Sequence, residues 1–216
     1  MHVVVPYAPD APKTRLKPVL SETERSTLAR VMLEDVLEAV RETGREPTVL
    51  STEPLEIDAP VTVDRRPLTE AVNAVVRSRT RSTEVKSSGS AAVAVVMADL
   101  ALTTPEALER LFAPNADVVI APGRGVGTNA LVVRHPEFRV DYHGGSFLDH
   151  RRIADDIGAT LETVDSFRLG ADIDEPADLV EVLAHGTGRT ADCLREFGFE
   201  LDSTEGRLEV VRSVEP

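Results

Sequence analysis

Basic residues are scarce in this 216-residue chain, and lysine is scarcest. Lys13, Lys17 and Lys86 are the only lysines among 24 basic side chains, against 37 acidic ones, for a formal net charge of −13. Such a balance excludes non-specific nucleic-acid binding, which needs a basic face. It fits a protein working in concentrated salt, where screening within ~3 Å at about 1 M cancels self-repulsion; an ordinary acidic protein is the alternative. Cysteine occurs once, as Cys193, which rules out an intramolecular disulfide framework and any multi-cysteine zinc site. On the helix expected around it, that thiol reads as a small core residue. No apolar run approaches the ~18 residues of a membrane span. The opening MHVVVPYAPD reads as a strand rather than a basic signal segment, so the expected compartment is the cytoplasm, with no membrane partner. His143, His150 and His185 are too scattered for a zinc site, and no Ser/His/Asp arrangement is legible.

What the chain does have is a strong strand signal. Ala91–Leu100, AAVAVVMADL, carries eight consecutive apolar residues and then one acid, Asp99. A short continuous apolar run reads as a strand buried on both faces of a parallel sheet. An isolated carboxylate is costly inside such a strand, so Asp99 is expected where the strand emerges at its carboxyl end, the edge at which open α/β sheets bind ligands. That makes Asp99 a candidate metal-binding carboxylate, the alternative being an acid that caps the next turn.

In chain order, His2–Val5 reads as a strand stopped by Pro6, followed by a proline-rich loop over Tyr7–Pro12. Ser21 and Glu24 form a capping-box pattern before a helix expected from Glu22 to Thr43, ending at Gly44. Pro47–Ser51 and Ala59–Val63 read as strands, and Pro67 opens a helix. The polar stretch from Arg77 to Gly89 reads as a surface loop. Beyond the Ala91–Leu100 strand, helices are expected at Thr103–Phe112, Ser146–Ile157 and Glu175–Leu183, and strands at Asp117–Ala121, Asn129–Arg134 and Thr160–Val164. This alternation predicts one α/β domain over residues 1–216 with a mainly parallel sheet flanked by helices. Residues 186–216 are expected to add a helix around Thr190–Phe197 and a terminal hairpin.

Three further stretches carry candidate chemistry. Lys13 and Arg15 flank the turn between the first strand and its helix, on the edge that also holds Asp99, where a phosphate would meet an ammonium and a guanidinium fork. Pro122–Asn129, PGRGVGTN, sits mid-chain and leads into a strand. It therefore lacks the context of a dinucleotide fingerprint, but lets backbone approach a ligand at Gly127, beside Thr128 and Asn129. Asp172-Ile173-Asp174 places two acids at a spacing of two on an extended segment before Pro176; capping explains one of them but not both. Asp174 with Asp99 would supply the sparse carboxylate set that Mg²⁺ prefers when phosphates add further ligands.

Together VPYAPDAPKTRLKPVLSETER, VVMADLAL, IAPGRGVGTNALVV, YHGGSF and DIDEPADL resemble the 2-phospho-L-lactate guanylyltransferases, from Val3 to about Leu183. The resemblance implies a nucleotidyltransferase (GT-A-like, Rossmann-like) α/β fold and the making of the activated lactyl intermediate of deazaflavin coenzyme F-420 from GTP and 2-phospho-L-lactate. It implies that Asp99 and Asp174 bind Mg²⁺ with Asp172 as helper, that Lys13 and Arg15 face the GTP phosphates, and that Thr128 and Ser146 hold the phospho-acid. The acidic balance points to a halophilic archaeal source, and a second copy of the chain is a candidate partner. Two positions depart from the family pattern: Tyr7-Ala8 stands where a lysine is usual, and His143 where glycine is frequent. Phosphoenolpyruvate and 3-phosphoglycerate carry the same carboxylate and phosphate, so they remain alternative acceptors, and a nucleotide-binding regulator without turnover is the competing class.

Overall fold

Unbroken apolar runs, buried on both faces, place the strands in one seven-stranded sheet with a core on each face. The computed structural model describes residues 1–81, 92–203, 206 and 208–213. Strands β1 (His2–Tyr7), β2 (Pro47–Ser51), β3 (Val61–Val63), β4 (Val93–Val96), β5 (Val118–Pro122), β6 (Thr128–Val133) and β7 (Leu161–Thr163) lie in the order β3-β2-β1-β4-β6-β5-β7. All pairings are parallel except those of β6, which runs antiparallel to both β4 and β5.

Val3, Val5, Ala94 and Val96 face one side with Leu33, Val36, Leu37 and Val40 of α1 (Glu22–Glu42) and Leu108 and Leu111 of α3 (Pro105–Phe112). Val4, Val93 and Val95 face the other with Val72 and Val76 of α2 (Leu68–Arg81) and Ala154 of α4 (Ser146–Asp156). Successive residues of a strand point to opposite faces, so covering both faces requires the unbroken apolar runs seen in the sequence.

Local chemistry sets the helix ends. Ser21 and Glu24 close a reciprocal capping box on α1, and Gly44 follows it at φ +74°, a left-handed turn natural to glycine. Thr104 caps α3 with Pro105 in its first turn.

The first strand does not stop at Pro6. β4 pairs with β1 only through Val4, so at Pro6 the strand has no neighbour on that side, while pairing with β2 continues to Tyr7–Ser51. Proline is tolerated where a strand has become an edge. The polar stretch from Arg77 is not all loop: α2 extends to Arg81, and residues 82–89 of that expected loop lie outside the described residues.

After α5 (Phe167–Gly170), α6 (Leu179–His185) and α7 (Arg189–Glu196), the chain forms a separate antiparallel hairpin of β8 (Phe199–Asp202) and β9 (Glu209–Arg212). Asp35 of α1 secures α7, accepting from the backbone N–H of Arg189 at 3.0 Å and of Thr190 at 2.8 Å. Leu16, Leu20, Leu28 and Met32 share a third buried cluster with Ile173, Leu179, Leu194 and Phe199, including Cys193. No helix among the described residues is long and apolar enough to cross a membrane.

The acidic balance leads to a salt prediction. If −13 reflects adaptation to salt, the melting temperature should rise steeply between ~0.1 and 2 M KCl, past the range where simple screening is nearly complete. A melting temperature flat across that interval would refute the adaptation.

Candidate active site

The carboxyl ends of β1 and β4 open onto a cleft of about 380 Å³ lined by Tyr7, Ala8, Lys13, Arg15, Asp99 and Asp174, among others. Asp99 lies in the turn two residues past Met97, as the end of the apolar run dictates. The segment bearing Asp174 is tied to that turn by the Ile173 N–H, which donates to the Asp99 carbonyl at 3.2 Å.

Lys13 joins the two acids. Its Nζ donates to Asp99 Oδ2 at 2.7 Å and to Asp174 Oδ1 at 2.8 Å, and its side chain is only 10% exposed. Burial pulls the ammonium's pKa down, but the Asp99 and Asp174 carboxylates outweigh it and hold the pKa above its ordinary value. Lys13 is therefore a fixed positive charge at any working pH. Arg15 donates from Nη1 to Asp174 Oδ2 at 3.1 Å with its guanidinium largely in solvent, free to meet an anion. The turn that brings Lys13 inward is strained: Ala11 at φ +41° and Lys13 at φ +53° both occupy left-handed backbone, at about 1–2 kcal/mol each. Leu16, fully buried and immediately after Arg15, anchors it.

The acids of Asp172–Asp178 divide into different tasks. Asp174 faces Lys13, whereas Asp172 Oδ1 accepts from Asn129 Nδ2 at 3.0 Å. Asp178 accepts from the backbone N–H groups of Asp174 and Glu175, shaping the turn. Among the described residues, no group of three His, Cys, Asp or Glu side chains forms a metal cage. The pair Asp99 and Asp174 remains, and Asp99 Oδ1 is buried without a hydrogen-bond partner. Two carboxylates with spare acceptor capacity fit Mg²⁺, which takes one or two protein carboxylates and completes its shell from phosphates and water.

The glycine-rich loop is a second, separate arrangement. Asn129 is buried and braces the loop, its Nδ2 also donating to the Leu169 carbonyl at 3.0 Å. A Cβ on Gly123 would lie 2.4 Å from Asn129 Oδ1, so only glycine fits there. Gly127 closes the loop with its carbonyl, which accepts from the Gly123 N–H at 3.0 Å. The Thr128 N–H donates to Ser146 Oγ at 2.9 Å, and both side chains are buried. Thr128 and Ser146 are thus brought together, but neither lines the Lys13 cleft.

His150, on α4, belongs to this second group and has no local sequence signal. Its Nε2 accepts from the Asp141 N–H at 2.9 Å, so the ring proton sits on Nδ1 and is donated to Thr128 Oγ1 at 2.8 Å. Burial lowers its pKa to about 4, against the weaker opposing pull of Asp141 and Asp149. The sign of the stability effect follows. Below pH ~6.5 the unfolded chain takes up a proton that the folded chain refuses until about pH 4. Folding stability should therefore be full above ~6.5 and fall by about 3 kcal/mol on acidification to about pH 4. Denaturant unfolding of His150→Gln should lack this share of the loss; equal acid sensitivity in both proteins would refute it.

The sequence matches the family described as "Guanylyl transferase CofC like" over residues 1–213. It is 61% identical over 225 residues to the 2-phospho-L-lactate guanylyltransferase of Haloterrigena turkmenica, covering 98% of this chain and 97% of that protein. It is 56% identical over 212 residues to the enzyme of the same name from Haloferax volcanii, covering 98% of each. Among solved structures, a nucleotidyl transferase from Methanothermobacter superposes with a TM-score of 0.58 at 16% identity, covering 90% of this chain and 98% of that one. A Desulfovibrio desulfuricans structure described as a nucleotide-diphospho-sugar transferase reaches a TM-score of 0.71 at 15% identity, covering 91% and 95%. At such identities these structures show the fold alone.

Proposed function

Because the chain belongs to the guanylyl transferase CofC-like family, we propose that it transfers a guanylyl group from GTP to 2-phospho-L-lactate. The observation that carries this reading is the cluster of Lys13, Arg15, Asp99 and Asp174 lining one cleft at the carboxyl edge of the sheet. A phosphate oxygen of 2-phospho-L-lactate attacks the α-phosphorus of GTP, one P–O bond forms, and the bond to the β-phosphate breaks to release pyrophosphate. The acceptor phosphate carries its own negative charge near neutral pH, so no protein nucleophile or base is required.

Two polyanions must meet, and the catalytic demand is therefore positioning and charge stabilisation. Lys13 supplies a point charge at the floor of the cleft, and Arg15 a fork toward the solvent side, where the leaving pyrophosphate departs. Asp99 and Asp174 are the residues that would hold Mg²⁺, whose charge would neutralise the phosphates and favour the leaving group. The Asn129–Asp172 bond keeps the Asp174 segment in register with the glycine-rich loop. Thr128, fixed to Ser146 and to His150, shapes the acceptor side together with Ser146.

Pyrophosphate release from GTP, measured with 2-phospho-L-lactate, phosphoenolpyruvate and 3-phosphoglycerate in turn, tests the proposal. At least tenfold faster release with 2-phospho-L-lactate is expected. A preference for another acid would replace the acceptor, and no release with any of them would leave a nucleotide-binding protein without turnover.

A further inference from the structure

A second cleft, of about 490 Å³, opens beside the first at the carboxyl ends of β2 and β3. The two share Pro6, Tyr7, Ala8 and Met97 as a common wall, so one extended ligand can occupy both. Their chemistry differs. The Lys13 cleft is built from charges, whereas much of the second is apolar, with Leu50, Leu68, Ala71 and Met97 in its lining. Flat aromatic rings bury their faces in such walls and take their orientation from a few polar groups. Among the described residues lining this cleft, Asp64 is the single acid.

Asp64 is fixed in place: its own N–H donates to the Ser51 carbonyl at 2.8 Å, and its side chain is 15% exposed. Its carboxylate already holds a planar fork. Arg66 Nε donates to Oδ1 at 2.9 Å while Nη2 of the same guanidinium donates to Oδ2, and the Arg66 backbone N–H adds a bond to Oδ1 at 3.1 Å. Those Arg66 bonds, the side-chain fork first, keep the Asp64 carboxyl below the usual carboxylate range, hence ionised and acceptor-only. The fork itself is cheap to displace, because Arg66 is two residues away in sequence and half-exposed, and surface ion pairs contribute little.

Guanine carries the same fork. Its N1–H and C2 amino group are adjacent donors on a planar N–C–N unit, equivalent to the Nε–H and Nη2–H pair of arginine. Adenine instead presents an unprotonated N1 at that position, which a carboxylate repels. We propose that this second cleft is the guanine pocket, and that Asp64 determines base specificity by exchanging the Arg66 fork for the N1–H and N2 amino edge of the nucleotide. The proposal rests on the guanylyl-transfer reading. It explains how a GTP whose phosphates lie at Lys13 would be told from ATP by a residue on the far side of the shared wall.

Equilibrium binding of GTP, ITP and ATP by the whole chain, without any phospho-acid, tests it. ITP keeps N1–H and lacks the amino group. The unmodified protein should bind GTP at least tenfold more tightly than ITP, and ATP more weakly still. Asp64→Asn should lose at least tenfold in GTP affinity and less in ITP affinity, removing the preference. Arg66→Ala, which removes the competing fork, should bind GTP as tightly as the unmodified protein or more tightly. Equal binding of GTP and ITP by the unmodified protein, an unchanged preference in Asp64→Asn, or an equal loss of GTP affinity in Arg66→Ala would each overturn the proposal. If Asp64→Asn does not fold, the first and third measurements decide. Because no reaction is read, a failure of the pyrophosphate assay and a failure of this pocket are seen separately.

Discussion

Asp99→Asn is expected to lower turnover by at least ~100-fold, about 2.7 kcal/mol of transition-state stabilisation, while leaving the fold intact. The carboxylate lies past the end of β4, not in its buried run, so an isosteric amide leaves no cavity. It does remove one of the two acids that would hold Mg²⁺ and one of the two that fix Lys13. Steady-state pyrophosphate release with saturating Mg²⁺, alongside circular dichroism and a melting curve, checks both halves. A variant that turns over near the unmodified rate would remove Asp99 from the catalytic set.

Lys13→Ala has a comparable expected effect and a more informative signature. If the ammonium meets charge that develops on the leaving pyrophosphate, kcat should fall by ~100-fold or more while GTP affinity changes much less. Arginine is a poor substitute at a buried point-charge contact, because its planar fork needs a different geometry. Ala8 lines the same cleft, so Ala8→Lys in the Lys13→Ala background should restore part of the loss. A second readout needs no catalysis. Without Lys13, Asp99 and Asp174 lose the ammonium they share, while Arg15 still bonds Asp174. Mg²⁺ should therefore raise the melting temperature of Lys13→Ala more than that of the unmodified protein. If the substitution only raises the Michaelis constant for GTP, Lys13 holds the ground state and has no special role in the transition state.

The strand frame was legible because burial on both faces writes itself into sequence as unbroken runs; Pro47–Ser51 matches its strand residue for residue. The reversed direction of β6 was not legible, since an apolar run reads the same either way. In sequence Pro6 reads as a stop, because the missing neighbour beyond Val4 is a property of the pairing, not of the proline. At the site, Asp99 and Lys13 were visible as an acid ending an apolar run and a rare lysine in a turn. Their contact was not, for 86 residues separate them, and 161 separate Lys13 from Asp174. Asp172 and Asp174 share one spacing signal, which names Asp172 as a helper to Asp174, yet the partner of Asp172 is Asn129. His150 left no trace because a buried histidine is identified by what it touches.

The third buried cluster has a consequence for how the molecule breathes. It joins Leu16 and Leu20, which follow the Lys13 turn, and Ile173, beside Asp174, to Leu194 and Phe199 near the end of the chain. Proteins open in cooperative units, and residues sharing one buried cluster tend to open together. Amide protons of α7 and β8 should then exchange in the same event as those of residues 14–20. Loosening the far end of the chain would slacken the two sides of the Lys13 bridge at once, although none of the described residues lining that cleft lies beyond Asp174.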